Sequence, residues 1–152
     1  MKKLIFSLLL VFIFSLAGYS QSTASPATLD ADKAAITATA LDYIEGWYTG
    51  DAERMERALH PDLAKRIVMS KDGRSMLQQM SAMGLVQGTR KGFGKNIPKE
   101  KQQKDVTILD VFENAASVKV VASDWIDYLH VARFNGRWVI VNVLWELKPE
   151  KK

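Results

Sequence analysis

The 152-residue chain contains no cysteine. That absence excludes a disulfide framework, a lipid-modified cysteine, thiolate catalysis and any cysteine-based metal site. Histidine is almost as scarce, with His60 and His130 the only two. Together with scattered acids they make no recognisable ligand spacing, so no metal is expected, and no cofactor motif is found either. Charge of one sign is also lacking. The formal net charge is +4, and removal of Lys2 and Lys3 with a leader lowers it to +2, too little to argue for a nucleic-acid partner. Gly92-Phe93-Gly94-Lys95-Asn96 is not a phosphate loop, because the glycines are too close, no Ser or Thr follows the lysine, and no strand-to-helix context surrounds it.

One long apolar run is present. Met1-Lys2-Lys3 precedes Leu4 to Ala17, and the small residues Gly18 and Ser20 follow. A basic start, a run of about 14 apolar residues and a small-residue exit predict a cleaved signal peptide over 1–20, too short for a comfortable membrane span. The expected destination is the periplasm or the exterior, without a lipid anchor. Residues 21–29 read as a flexible tether, 30–149 as one domain and 150–152 as a tail.

The strongest structural signal lies at the far end. Trp125 to Phe134 and Arg137 to Glu146 are rich in β-branched and aromatic residues, and Asn135-Gly136 joins them. Asn-Gly between such runs predicts a two-residue hairpin, since a type I′ turn needs positive φ at both central positions. Counting from Phe134 opposite Arg137 places Trp125, Asp127, Leu129, Val131 and Arg133 on one face with Trp138, Ile140, Asn142, Leu144 and Glu146. The other face then carries Tyr128, His130, Val139, Val141, Val143 and Trp145, apolar enough to ask for a cover, and a homodimer through it is the expectation. Val106 to Glu113 and Ala116 to Ser123 add two more strands, with a turn at Asn114-Ala115.

Ahead of the strands the period changes. Ile36, Ala40, Tyr43, Ile44 and Trp47 recur at helical spacing from about Asp30, and Gly50 ends that helix. Asp51 caps a second helix through Leu59, which ends by His60 because Pro61 follows. Arg66 to Met69 reads as a short strand stopped at Lys71-Asp72-Gly73, and Ser75 as the cap of a third helix to Met83, burying Met76, Leu77, Met80 and Met83. Residues 84–104 form a loop carrying Arg90, Lys91, Lys95, Lys99, Lys101 and Lys104. The fold class is α+β, with three N-terminal helices collected in the concavity of a curved antiparallel sheet.

Gly46-Trp47-Tyr48-Thr49-Gly50-Asp51, Leu59-His60-Pro61-Asp62-Leu63, Asp127-Tyr128-Leu129 and Asn135-Gly136-Arg137-Trp138-Val139-Ile140-Val141-Asn142 resemble the putative lumazine-binding family of the nuclear transport factor 2-like, or cystatin-like, superfamily. The resemblance runs from about Ala34 to Pro149. It implies an α+β cone with a pocket between helices and sheet, and relatives that include isomerases, dehydratases and cyclases as well as non-catalytic modules.

The candidate ligand-binding residues are Tyr43, Trp47, His60, Trp125, Asp127 and Asn142, aromatic walls with a few polar groups, suited to a small, flat or apolar molecule. An enzyme of the isomerase, dehydratase or cyclase kind would use Asp127 or His60 as general base, with Tyr43 or Asn142 stabilising an oxyanion. A dimerisation or interaction module without a ligand is the third expectation.

Overall fold

The computed structural model describes residues 26–149, so the expected signal peptide lies outside the described residues. Helix α1 spans Pro26–Thr49, α2 Ala52–Ala58 and α3 Ala82–Arg90; the strands are β1 Leu59–Lys71, β2 Arg74–Ser81, β3 Lys104–Phe112, β4 Ala115–Ala122, β5 Trp125–Phe134 and β6 Arg137–Leu147. Pro26 opens α1, where a missing N–H costs nothing, so residues 26–29 belong to a helix rather than to the end of a tether. The helix buries Ile36, Ala40, Tyr43, Ile44 and Tyr48. Asp51 caps α2 as expected, its carboxylate accepting from the backbone N–H groups of Glu53 and Arg54.

The strands form one unclosed six-stranded sheet in the order β2-β1-β6-β5-β4-β3. It is mixed rather than wholly antiparallel, because β1 runs parallel to β6 while every other pair is antiparallel. The helix expected from Ser75 to Met83 is strand β2 as far as Ser81, with Met83 in the first turn of α3, and Met76, Leu77, Met80 and Met83 are exposed rather than buried. Asp72 and Gly73 take φ of 52° and 73°, the turn that folds β2 back onto a β1 far longer than the four residues expected. Met76 and Met80 are four apart and therefore satisfy both periods, a helix face and alternate positions of a strand. The third helix comes one element later, capped by the Ser81 hydroxyl and burying Leu85 and Val86, so the start of the expected basic loop is helical.

Asn135 and Gly136 make the predicted turn, with φ of 49° and 78°, and Phe134 pairs with Arg137. The parity then breaks. Val131 pairs with Ile140 but His130 pairs with Asn142, leaving Val141 as an extra residue, a β-bulge. Beyond it every side chain of β6 changes face. Asn142 and Leu144 therefore lie on the outer face with His130 and Tyr128, whereas Val143 is buried and Trp145 packs against the core. Val139 is buried too. The expected apolar row of Tyr128, His130, Val139, Val141, Val143 and Trp145 is thus not one surface. At the centre of the outer face stands a polar ladder, with Arg66 donating to Asn142 Oδ1 at 3.0 Å and to Gln79 Oε1 at 3.2 Å, and Asn142 Nδ2 lying 3.3 Å from His130 Nδ1.

The Ser123-Asp124 corner is a two-residue loop, which places Val118, Val120 and Ala122 on the inner face with Asp127, all fully buried. The turn from β3 to β4 falls on Glu113-Asn114, one residue earlier than expected.

Charges fasten α1 to its neighbours. Arg54 donates to Asp42 at 2.8 Å and to Glu45 at 2.6 Å, Arg57 donates to the other Asp42 oxygen at 2.8 Å, and Lys104 of β3 pairs with Glu45. Partial burial raises the Asp42 carboxyl, but hydrogen bonds from Arg57 and Arg54 outweigh it and hold the group below its usual 3.8. The Lys104 hydrogen bond, opposed by burial and aided by Arg54, holds Glu45 below its usual 4.5. Depressed folded-state values mean that this stabilisation is full above the ordinary carboxylate range and is lost as pH falls through the lowered values. Urea unfolding should therefore show stability declining below about pH 4, and Arg54→Met should flatten part of that decline; an unchanged slope in the variant would contradict the assignment.

Candidate functional site

Between the helices and the inner face of the sheet lies a cavity of about 340 Å³. Tyr43, Ile44 and Trp47 of α1 form one wall, Trp125 of β5 and Trp145 and Leu147 of β6 the opposite one. Met55, Met80 and Leu85 close one side, and Phe93, Asn96 and Ile97, from the turns after α3, stand at the other. The volume is at the small end for ligand sites, enough for one or two fused rings. Phe93 is 61% exposed and forms the lip. Gly94 beside it is buried against Trp47, so close that a Cβ there would lie 2.4 Å from the Trp47 carbonyl oxygen and from its ring. The glycine is what allows the lip to seat on the indole.

The polar end of the cavity is Lys65. Leu63, Lys65 and Ile67 alternate on the inner face of β1 and are all buried, and Lys65 pairs across to Val143. Its ammonium donates to Asp127 Oδ1 at 2.5 Å and to Tyr43 Oη at 2.6 Å, and lies 4.8 Å from the centre of the Trp145 ring. Tyr43 donates to Asp127 Oδ2 at 3.2 Å, and Trp125 Nε1 donates to the same oxygen at 2.6 Å. Asp127 is fully buried behind these donors and does not line the cavity; Lys65 does. Burial pushes the Lys65 amine below its usual 10.5, with the Asp127 carboxylate pulling the other way. Burial first and then Asp127 push the Tyr43 phenol well above its usual 10.0, so it stays a protonated donor.

A carboxylate in a dry interior must be paired and hydrogen-bonded, and this one has a cation and two further donors. That same completeness makes it a poor general base toward a ligand in the cavity. Its lone pairs are engaged, and Lys65 and Trp125 stand between it and the cavity. The cavity meets an ammonium with two protein oxygen acceptors among the described residues, which leaves one N–H facing aromatic rings rather than an oxygen.

Of the six residues expected from sequence, Tyr43, Trp47 and Trp125 line the cavity and Asp127 lies directly behind it. Two are elsewhere. Asn142 is on the outer face, moved there by the bulge. His60 sits in β1 on a separate hollow with Pro61, Phe134 and Arg137, its ring 4.5 Å from that of Phe134 and its Nδ1 accepting from the Asp62 N–H. Sequence reasoning missed Lys65 and Trp145. A lysine in the inward row Leu63, Lys65, Ile67 is the signal that marks the first, once Asp127 is known to face the same way. Asn142→Ala should accordingly leave ligand affinity unchanged, whereas Trp145→Ala should lose about 0.5–1.5 kcal/mol of aromatic contact, both read by titration; equal losses would contradict this placement.

Among the described residues no group of three or more His, Asp or Glu is placed to hold a metal ion. Comparison with known proteins matches residues 31–146 to a family described as "Putative lumazine-binding". A search of curated proteins gives no match. Among solved structures, an NTF2-like protein of unknown function from Shewanella baltica is similar with a TM-score of 0.63 at 18% identity, covering 84% of this chain and 100% of that one. An NTF2-like protein with a cystatin-like fold from Novosphingobium aromaticivorans gives 0.62 at 12% identity, covering 82% and 87%. A hexachlorocyclohexane dehydrochlorinase gives 0.54 at 13% identity, covering 82% and 90%. At such identities the likeness is one of fold.

Proposed function

The chain belongs to the putative lumazine-binding family, with the NTF2-like, cystatin-like α+β fold, and from that premise we propose that it binds one small, flat, largely apolar molecule in the cavity beside Lys65. The observation that carries this reading is the cavity itself, walled by Trp47, Trp125 and Trp145 and ending at a single buried ammonium with one N–H facing aromatic rings rather than an oxygen. Ring faces favour a planar ligand, and the ammonium favours one with an acceptor such as a carbonyl oxygen at its inner end. The Lys65 and Asp127 charges cancel, so the acceptor need not be an anion.

Three of the four tryptophans line the cavity, which makes intrinsic fluorescence the direct test. Lumazine, other pteridines and two-ring aromatic carbonyl compounds should include ligands that quench emission saturably and raise the melting temperature in step. A panel in which nothing does either would overturn the proposal.

The general-base alternative loses its geometry with Asp127 enclosed by donors and His60 in another hollow, and the dehydrochlorinase likeness is one of fold alone. Export of the binding domain is supported by the leader-like sequence of residues 1–20. Intact mass of the protein recovered from the cell envelope should match a chain starting near Gln21. Self-association remains part of the proposal, now through the exposed Val68, Leu77, Tyr128 and Leu144 that flank the outer polar ladder. Light scattering should give a dimer mass that Tyr128→Glu reduces to a monomer.

A further inference from the structure

We infer that Lys65 is a covalent anchor: the cavity takes aromatic aldehydes or ketones and holds them as a protonated imine on Lys65 Nζ. The inference rests on the reading of the cavity as a ligand site and adds a reaction to it.

A lysine kept only for an internal ion pair has no need to end in a ligand-sized hollow. Here the ammonium lies at the inner end of an apolar, aromatic-walled space, its side chain 6% exposed, with Asp127 2.5 Å away and a tyrosine hydroxyl at 2.6 Å. Those are the parts that imine formation needs: an amine at the buried inner end of the cavity, a counter-ion for the iminium, and a proton relay.

Charge is conserved through the reaction, which is why the buried pair does not prevent it. An ammonium and a carbonyl become an iminium and a water, so Asp127 faces one positive charge before and after. In detail, one ammonium proton passes to the Asp127 carboxylate, and the freed lone pair forms a C–N bond with the carbonyl carbon. Tyr43 gives its hydroxyl proton to the resulting alkoxide and takes one from the nitrogen. The proton held on Asp127 then passes through the Tyr43 hydroxyl, which lies 3.2 Å from Asp127 Oδ2 and lines the cavity, to the new hydroxyl; the C–O bond breaks, and water leaves. One proton remains on the nitrogen, and no oxidant or reductant is consumed. Burial lowers the amine's affinity for its extra proton, which favours the first step. Conjugation of the iminium with a flat ring keeps the product planar, the shape that fits between Trp47, Trp125 and Trp145.

The test incubates the purified full chain with 2-naphthaldehyde and sodium cyanoborohydride and maps the reduced adduct by peptide mass spectrometry. Lys65 should be alkylated about tenfold faster than exposed Lys91 or Lys99, through proximity in the bound complex. Lys65→Arg keeps the charge beside Asp127 but cannot form the imine, so it should lose the fast adduct. 2-Naphthylmethanol, which has no carbonyl, reports the cavity alone by tryptophan quenching. Adducts on exposed lysines only, with 2-naphthylmethanol still bound, would overturn the covalent anchor and leave the binding function standing. Failure of both probes to bind would overturn the two together.

Discussion

Asp127→Ala should destabilise the protein by about 3–5 kcal/mol, the cost of stripping one partner from a buried ion pair. The loss falls on three donors together. Lys65 Nζ is left as a buried cation, and the Tyr43 hydroxyl and Trp125 Nε1 lose the oxygen they share. Domains of this size have about 5–15 kcal/mol in total, so the variant should approach the edge of folding. Urea denaturation measures it. The companion experiment replaces both charges, as Lys65→Met with Asp127→Leu. Apolar residues of similar size often match or exceed a buried pair in stability, so the double variant should regain much of what the single one loses. A loss below about 1 kcal/mol for Asp127→Ala would place it among ordinary surface changes and contradict the buried network.

Gly94→Val should abolish ligand binding and lower stability by about 1–3 kcal/mol, the usual cost of forcing atoms into filled space. A Cβ at this position would lie 2.4 Å from Trp47 Cδ1 and 2.4 Å from the Trp47 carbonyl oxygen. A flexible side chain could move aside, but helix backbone cannot. The lip bearing Phe93 must lift away, or the indole must leave the cavity wall, and either change removes a face that a flat ligand needs. Gly84→Ala is the control, because its nearest neighbour is Cγ of the flexible Met80 side chain at 3.3 Å, which can give by a few tenths of an ångström where helix backbone cannot. It should keep most of the binding. Fluorescence titration of the two variants separates a specific clash from a general intolerance of added bulk.

Much of this site is written in local signals, and the part that is not has identifiable causes. Asp127 was legible because alternation along β5 is unbroken from the Asn135-Gly136 turn, and the Ser123-Asp124 corner carries the same parity into β4. Tyr43 and Trp47 were legible from helical spacing alone. Asn142 was not, because the bulged Val141 lies in a run of valines and isoleucine where an extra residue leaves no mark in composition. Trp145 was misassigned for the same reason, and with it the expected subunit contact. The strand β2 was hidden by methionines whose four-residue spacing suits both periods, although Asp72-Gly73 carries the same turn chemistry as Asn135-Gly136. Lys65 was hidden most deeply. A charge in an inward row makes sense only with its partner, and that partner lies 62 residues away in sequence.

The central claim is that a ligand enters the space among Trp47, Trp125 and Trp145, and the indole N–H resonances of a nitrogen-15-labelled sample test it directly. The fourth tryptophan, Trp138, points its indole N–H at Asp32, outside the cavity, and serves as an internal control. On titration with a two-ring heterocycle, the resonances of Trp47, Trp125 and Trp145 should move together and saturate while that of Trp138 stays in place. Movement of Trp138 alone, or of none of the four, would contradict the account.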